Sequence, residues 1–450
     1  MSGNGKHNPP GPPGAPLVGM ALALRKDPLA GMRQMARDYG DVVRFYVMMQ
    51  ERTLVNRPDL INQVLVVQQS KFHKSELTRR ITSRILGQGL LISEGEFWRR
   101  QRRLAQPAFH RSRINAYGAA MLELAENHIS GWRDGEQRNI SQEMTALTLD
   151  IAVKTLFGTT LPSEKAHIGQ AMTFLMRYSL RRNRLPFRIP ETWPTPSNRR
   201  ADRELEFIDS LVYRIIEERR SEKNGRQHDD LLALLMGAMD EDGSQMTLQQ
   251  LHDETMTLFL AGHETTAQML GWTWYALSNN REAEAKLHEE LHSVLAGRPP
   301  GAEDFPRLPY LRAVMNEVLR LYPPAYILAR ETMEPCELGG YEMHVGSTVV
   351  ISQWIMHRDP RFYDDPEAFR PERWLDGLQD RLPPGAYFPF SAGPRRCIGE
   401  GFALLEAAIV IATLASKFKF RLVPGSEVIP EPLITLRPRH AIQMTLHRRS

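Results

Sequence analysis

The sequence of 450 residues predicts one large, mainly α-helical unit with small β-sheets. Three observations carry that expectation. From about residue 96 to residue 321 the apolar residues keep recurring at helical spacing. Strand-like alternation is confined to short pieces near residues 42–56, after residue 335 and at the C-terminal end. No repeat and no linker-like stretch divides the middle of the chain, although its length alone suggests more than one domain.

The first 16 residues hold the run Pro9-Pro10-Gly11-Pro12-Pro13-Gly14 and are expected to be irregular, with residues 17–450 forming a single domain. Val42 to Val47 and Thr53 to Asn56 read as a strand pair, and Pro58 opens a helix over D-L-I-N-Q-V-L. Amphipathic runs then cover 113–133, 140–157, 164–182, 198–222, 229–238, 247–279, 281–295 and 309–321, with a Pro-rich break at Leu185 to Pro196. Asp240-Glu241-Asp242-Gly243 reads as a turn, and Ser244 or Thr247 is placed to cap the helix after it. That helix is far longer than the mean and must cross most of the molecule. Short strand signals appear over Glu337 to Val350. An apolar helix comes after Cys397, and Lys417 to Leu422 and Ala441 to Leu446 read as strands.

Composition narrows the function. Lys and Arg number 57 against 53 Asp and Glu, a formal charge of +4. With no long basic run and no basic–aromatic repeat, nucleic acid is not an expected partner. Only Cys336 and Cys397 are present, which leaves no disulfide framework and fits a reducing cytoplasm. The apolar stretch Gly401 to Ala415 is interrupted by Glu406 and is too short for a bilayer. Ala15 to Leu24 is shorter still, so neither a signal peptide nor a membrane anchor is expected.

The densest chemistry lies in F-S-A-G-P-R-R-C-I-G-E-G-F-A, from Phe390 to Ala403. Gly393, Pro394 and Gly399 permit a tight turn and close backbone approach to a flat ligand. Cys397 stands just before a helix, where free N–H groups and the dipole favour a thiolate. A thiolate can bind iron axially and favour O–O cleavage, and Arg395 is placed to reach an anionic carboxylate. A lone cysteine is otherwise most often a small buried hydrophobe; here the surrounding pattern decides. Phe390, Gly393, Arg395, Cys397 and Gly399 match F-x-x-G-x-R-x-C-x-G at every fixed position. In this the chain resembles the cytochrome P450 family, in its soluble bacterial form.

Other motifs stand in the order that resemblance requires. Glu317 and Arg320 share a helix face at i, i+3, in isolation an ordinary surface pair. The family pairs this E-x-x-R with an arginine from a segment like Pro371-Glu372-Arg373-Trp374, which implies a buried structural network of Glu317, Arg320 and Arg373. In the long helix Gly262 is unfavourable by roughly 1 kcal/mol, and Thr265 can bond back to the Ala261 carbonyl and bend the helix. Without context these would be a satisfied core threonine and a solvated glutamate. Ala261-Gly262-His263-Glu264-Thr265 resembles the family's acid–alcohol pair, which implies that Glu264 and Thr265 deliver protons for oxygen activation. Trp98 and Arg102 resemble a W-x-x-x-R contact to a haem propionate, and Arg330 stands where the family often places another.

The resemblance implies a haem b (iron protoporphyrin IX) between the long central helix and the helix after Cys397, with Cys397 as the axial iron ligand. One atom of O2 would enter an apolar small molecule by hydroxylation or epoxidation. Electrons would come from a separate ferredoxin or flavodoxin with its reductase, since about 50 residues follow Cys397. Arg99, Arg100, Arg102 and Arg103 crowd one short helix and, with Arg396, offer a docking face for such an acidic partner. A solubilising basic face is the plainer alternative. The positions that line family pockets include the region around Leu175 to Leu185 and offer Phe259, Ala261, Ala325, Tyr326, Ile327, Leu328, Leu433 and Ile434 here, of which only Tyr326 has a polar side chain. Two rival functions are a haem-binding protein without turnover, which would need no proton-delivering pair, and a zinc hydrolase through His288-Glu289-Glu290-Leu291-His292. The second lacks an evident third ligand and lies in a charged amphipathic helix.

Overall fold

The computed structural model describes residues 8–15, 17–160, 164–183, 190–221, 230–239 and 243–449. Asp240-Glu241-Asp242 and residues 185–189 of the Pro-rich break lie outside them. The fold is built on Leu248–Asn279, a helix of 32 residues, about 48 Å long at 1.5 Å per residue. Thr247 caps it: its hydroxyl accepts from Gln250 N at 3.2 Å, while the Gln250 side chain accepts from Thr247 N at 2.9 Å. Ser244, the other candidate, instead accepts from Arg100. The helix is buried along nearly its whole length because Ile140–Phe157, Pro309–Leu321 and Glu400–Lys417 pack around it. One apolar cluster, from Ile85 to Leu446, joins these helices.

The helical runs after residue 96 fold as helices with ends shifted by a few residues, such as Arg111–Ile129 and Pro196–Ser221. Among the described residues Ala21–Lys26, Pro28–Tyr39 and Glu76–Leu86, with the single turns Gln353–Met356 and Leu378–Arg381, are helices where the periodicity raised no expectation. The second is announced locally. The Asp27 side chain accepts from Ala30 N at 2.9 Å and Pro28 opens the first turn, which buries Leu29, Met32 and Met35. The Pro/Gly-rich segment is held to the body, since Arg44 N donates to the Pro10 carbonyl at 2.9 Å.

A five-stranded sheet runs in the order Val42–Val47, Gln50–Val55, Thr348–Ile351, Leu328–Thr332, Phe72–Lys74. Its second and third strands are parallel and the other pairs antiparallel. The register sets Lys74 opposite Arg330. A three-stranded sheet joins Gln137–Asn139, Gln443–Arg448 and Phe418–Leu422. The hairpin Pro430–Pro432 with Leu436–Pro438 lies against the long helix, where Trp272 Nε1 donates to the Leu436 carbonyl at 3.1 Å.

Candidate active site

The cysteine loop is fixed from both ends. Cys397 N donates to the Phe390 carbonyl at 2.9 Å, and Arg396 N to the Gly393 carbonyl at 3.0 Å. Gly393 has φ +66°, and a Cβ there would lie 2.2 Å from the Leu65 carbonyl oxygen, so this position demands glycine. Gly399 does not. Its φ is −87°, and a Cβ would only touch Phe109 at 3.7 Å. Of the two glycines, Gly393 alone takes a left-handed φ. Burial raises the Cys397 thiol pKa; the Gly399 N–H, Arg102 and Arg396 pull it down without reversing the shift. The Gly399 N–H at the helix start favours the thiolate, as the sequence suggests, against the larger opposing effect of burial.

Lys74, Arg330 and Arg395 gather near Cys397, with Glu94 as the acid among them. Trp98 lies under Arg395, whose guanidinium carbon is 3.8 Å from the ring centroid. Arg395 pairs with Glu94, which also accepts from Lys74 N at 2.9 Å, but the second guanidinium nitrogen of Arg395 is buried without a partner. Burial, then Arg330 and Arg395, push the Lys74 pKa down to about 7. Burial, then Arg395, lower that of Arg330 to about 10. Lys74 is only half-buried and Cys397 exposed, although protein surrounds both. Three cations against one acid leave a buried positive excess that needs anions. The two propionates of a haem fit that demand, and the open Cys397 sulfur fits its iron. Lys74 was not visible as a site residue in the sequence: it meets Arg330 only through sheet register.

Arg102 donates to the Arg396 carbonyl at 2.9 Å and to Gln106 at 3.0 Å on the outside of the cysteine loop, and its charge bears on both Cys397 and Arg395.

In the long helix Thr265 Oγ1 donates to the Ala261 carbonyl at 3.0 Å. Ala261 is exposed and Thr265 half-buried in the middle of an otherwise closed helix. Glu264 turns elsewhere. Its carboxylate accepts from Arg437 at 2.7 and 2.5 Å, from Thr435 at 2.9 Å and from Gln268 at 3.1 Å. Burial alone would raise its pKa, but the Arg437 guanidinium outweighs it and holds the carboxyl below its ordinary value. The solvated-glutamate alternative is excluded, and the acid and alcohol face different surroundings. Arg437 and Thr435 were legible only as part of the alternating run L-I-T-L-R-P, too short among its prolines to announce a strand.

Glu317, Arg320 and Arg373 come together in the core. Arg320 donates twice to Glu317 at 2.8 Å, and Arg373 Nε and Trp374 Nε1 donate to it at 3.0 and 2.9 Å. The remaining Arg320 protons reach the carbonyls of His357, Pro366 and Ala368. Both Glu317 and Arg320 are fully buried.

The expected pocket set divides. Ala261 is exposed, and Ala325, Ile327, Leu328 and Ile434 are half-buried. Phe259 is consumed in core packing against Phe157, and Tyr326 is buried with its hydroxyl donating to the Leu433 carbonyl at 2.8 Å. Leu433 is buried as well. Phe259 is therefore corrected to a structural position, while Tyr326 and Leu433 are nearly fully buried and joined to each other. His288 and His292 lie with ring centroids 6.4 Å apart. Glu290 is occupied by the backbone N–H groups of Tyr310 and Leu311, and no metal-binding cluster of three or more His, Cys, Asp or Glu forms among the described residues.

Comparison with known proteins agrees with this geometry. The family model described as "Cytochrome P450" matches residues 9–445. The chain is 37% identical over 426 residues to "Cyclooctatin synthase" of Streptomyces melanosporofaciens, covering 94% of this chain and 92% of that protein. It is 37% identical over 419 residues to "Cyclooctat-9-en-7-ol 5-monooxygenase" of the same organism, covering 92% and 90%. To "Pentalenene oxygenase" of Streptomyces avermitilis it is 33% identical over 440 residues, covering 97% of each.

Proposed function

The chain belongs to the cytochrome P450 family, a monooxygenase with a haem-thiolate cofactor, and from that premise we propose that Cys397 ligates the iron of a haem b. When bound, the haem supplies oxygen activation, with one atom of O2 entering the substrate and the other leaving as water. Lys74, Arg330 and Arg395 hold its propionates, and Trp98 braces Arg395. Residues 17–450 act as one catalytic unit in the cytoplasm, fed by a ferredoxin or flavodoxin and its reductase. Among the described residues no helix is long and apolar enough to cross a membrane.

Thr265 Oγ1, bonded back to the Ala261 carbonyl, carries the proton at the reacting face. Glu264 can pass a proton only by giving up one of its bonds to Arg437, Thr435 or Gln268. Ala261, Ala325, Ile327, Leu328 and Ile434 suit an apolar substrate. Relatives named for cyclooctat-9-en-7-ol and pentalenene support the same class. The observation that carries the reading is the buried cation cluster beside an open cysteine sulfur.

The test is direct. Purified protein, reduced and exposed to carbon monoxide, should give the red-shifted absorption of thiolate-bound haem, and apolar ligands should displace water from the ferric form. A carbon monoxide spectrum without that red shift would refute Cys397 as ligand.

A further inference from the structure

The loop of residues 87–94 joins the helices Glu76–Leu86 and Gly95–Ala105 and is tied to the long helix by two carboxylates. Gln88 N donates to Asp253 at 2.7 Å and Leu90 N to Glu254 at 3.0 Å. Two glycines permit that approach. A Cβ on Gly87 would fall inside the Asp253 carboxylate, and one on Gly89 would lie 2.5 Å from the Asp253 carbonyl oxygen. At 100° per residue Glu254, Ala261 and Thr265 share one narrow strip of the helix, with Glu254 about 10 Å upstream of Ala261. The loop thus crosses the edge of the reacting face. It also meets the cation cluster, where Lys74 Nζ donates to the Leu91 carbonyl. The Leu91 side chain is 42% exposed between buried Leu90 and Ile92.

The two acids are not alike. Asp253 also accepts from Gln249 at 2.8 Å and lies 3.2 Å from the His252 ring, whose other nitrogen is 3.2 Å from Asp209. Burial opposes a charge on His252, but the two aspartates outweigh it and push its pKa up to about 9. Burial also opposes the Asp253 charge, and His252 with the Gln88 N–H overcomes it, holding the carboxyl below its ordinary range. Glu254 is 1% exposed, accepts from Leu90 alone, and its Oε1 has no partner. Of the charged groups packed against this end of the helix, Arg84 is turned to Asp202, Asp209 to His252 and Arg219 to Asp230. Tyr213 stacks on His252, and Leu231–Gly237 carries no charge. Burial, then the like charge of Asp253, push the Glu254 pKa up to about 7 against the Leu90 N–H.

We propose that the loop of residues 87–94 is a latched lid on the substrate's route to Thr265, with Asp253 as its fixed tie and Glu254 as its release. Closed, Glu254 is a neutral acid that accepts from Leu90 on Oε2 and keeps its proton on Oε1. Loss of that proton to solvent leaves a buried carboxylate beside Asp253 with no cation, and the loop lifts so that water can reach it. An acid that binds its proton more tightly in the closed state favours closure when protonated. With the ordinary value of 4.5 in the open loop, opening should grow by up to roughly tenfold per pH unit between about 4.5 and about 7, then level off. What the lid guards rests on the monooxygenase reading; the latch does not.

Hydrogen exchange at the Gln88 and Leu90 amides, corrected for the intrinsic pH dependence of exchange, reads the latch directly. In the parent, opening should rise at least tenfold from pH 5 to pH 7. Glu254→Gln keeps a neutral acceptor for Leu90 and should stay closed at both, whereas Gly89→Ala cannot seat the loop and should open at both. Equal pH slopes in parent and Glu254→Gln overturn the release. Stopped-flow association of phenylimidazole with the ferric haem tests the route. The ratio of parent to Glu254→Gln rates, which cancels the probe's own titration, should rise from pH 5 to pH 7, and a flat ratio overturns the lid. Loss of the thiolate carbon monoxide spectrum in the parent would strike the cofactor reading instead, and amide exchange would still decide the latch.

Discussion

Cys397, Thr265 and Lys74 each carry a demand that a single substitution isolates. Cys397→Ala should abolish the thiolate carbon monoxide spectrum while Cys336→Ala leaves it intact, since Cys336 belongs to the separate hairpin Cys336–Leu338 with Tyr341–Met343. Thr265→Ala should load haem and bind substrate as the parent does, yet divert electrons to peroxide, with product per electron pair down roughly tenfold or more. Measuring electron donor, peroxide and product together checks this. Lys74 has a folded pKa of about 7 against an ordinary 10.5. A base with a depressed folded pKa costs stability at and below about pH 7, and the cost fades as pH rises toward 10.5. Haem-free protein should therefore become more stable from pH 7 to pH 9, an effect absent in Lys74→Met. The same variant should lose haem roughly tenfold more readily, the equivalent of one charge-assisted hydrogen bond.

At the scale of elements, two buried ionic networks tie helices to irregular chain. Glu317 holds Pro309–Leu321 to the Pro371–Trp374 turn, and removing it strands Arg320 and Arg373 in the core. Glu317→Ala should cost about 3–5 kcal/mol in denaturant unfolding, or prevent folding outright. Glu264 joins the long helix to the Pro430–Pro438 hairpin through Arg437. Its lowered folded pKa means that this stability is present above the ordinary carboxylate range and is lost as pH falls through the folded value. Arg437→Leu should weaken the hairpin against hydrogen exchange and flatten that acid limb; an unchanged limb would remove the pair from the account.

For the whole molecule, the basic face around Arg102 sorts into two kinds of arginine. Arg100 is anchored to Ser244 and Arg102 to the Arg396 carbonyl, so neither is a first choice for a partner. Arg99 and Arg396 are about three-fifths exposed, at 61% and 60%, although each has a nearby glutamate, and Arg103 is exposed too. An acidic electron donor is expected to dock there. Arg99→Glu should slow haem reduction and reduce its salt dependence, since charges on this face act over about 10 Å at 0.1 M salt. Equal rates and equal salt slopes for variant and parent would place the donor elsewhere, and Arg100→Glu serves as the control for lost anchoring.

The sequence by itself determined the helical class, the long helix with Ser244 or Thr247 as its cap, and the glycine-containing cysteine loop. Each of these is written in neighbouring residues, as spacing, capping chemistry or a fixed pattern. Only the tertiary structure decided what those residues meet. Lys74 becomes part of the site because sheet register sets it beside Arg330. Glu264 turns from Thr265 because a hairpin 171 residues away brings Thr435 to its carboxylate, with Arg437 beside it. Phe259 packs into the core because rotation about the helix, not apolarity, selects which face looks inward. Contacts between distant segments are paid for in chain entropy and return only when the whole packs, so no local pattern records them.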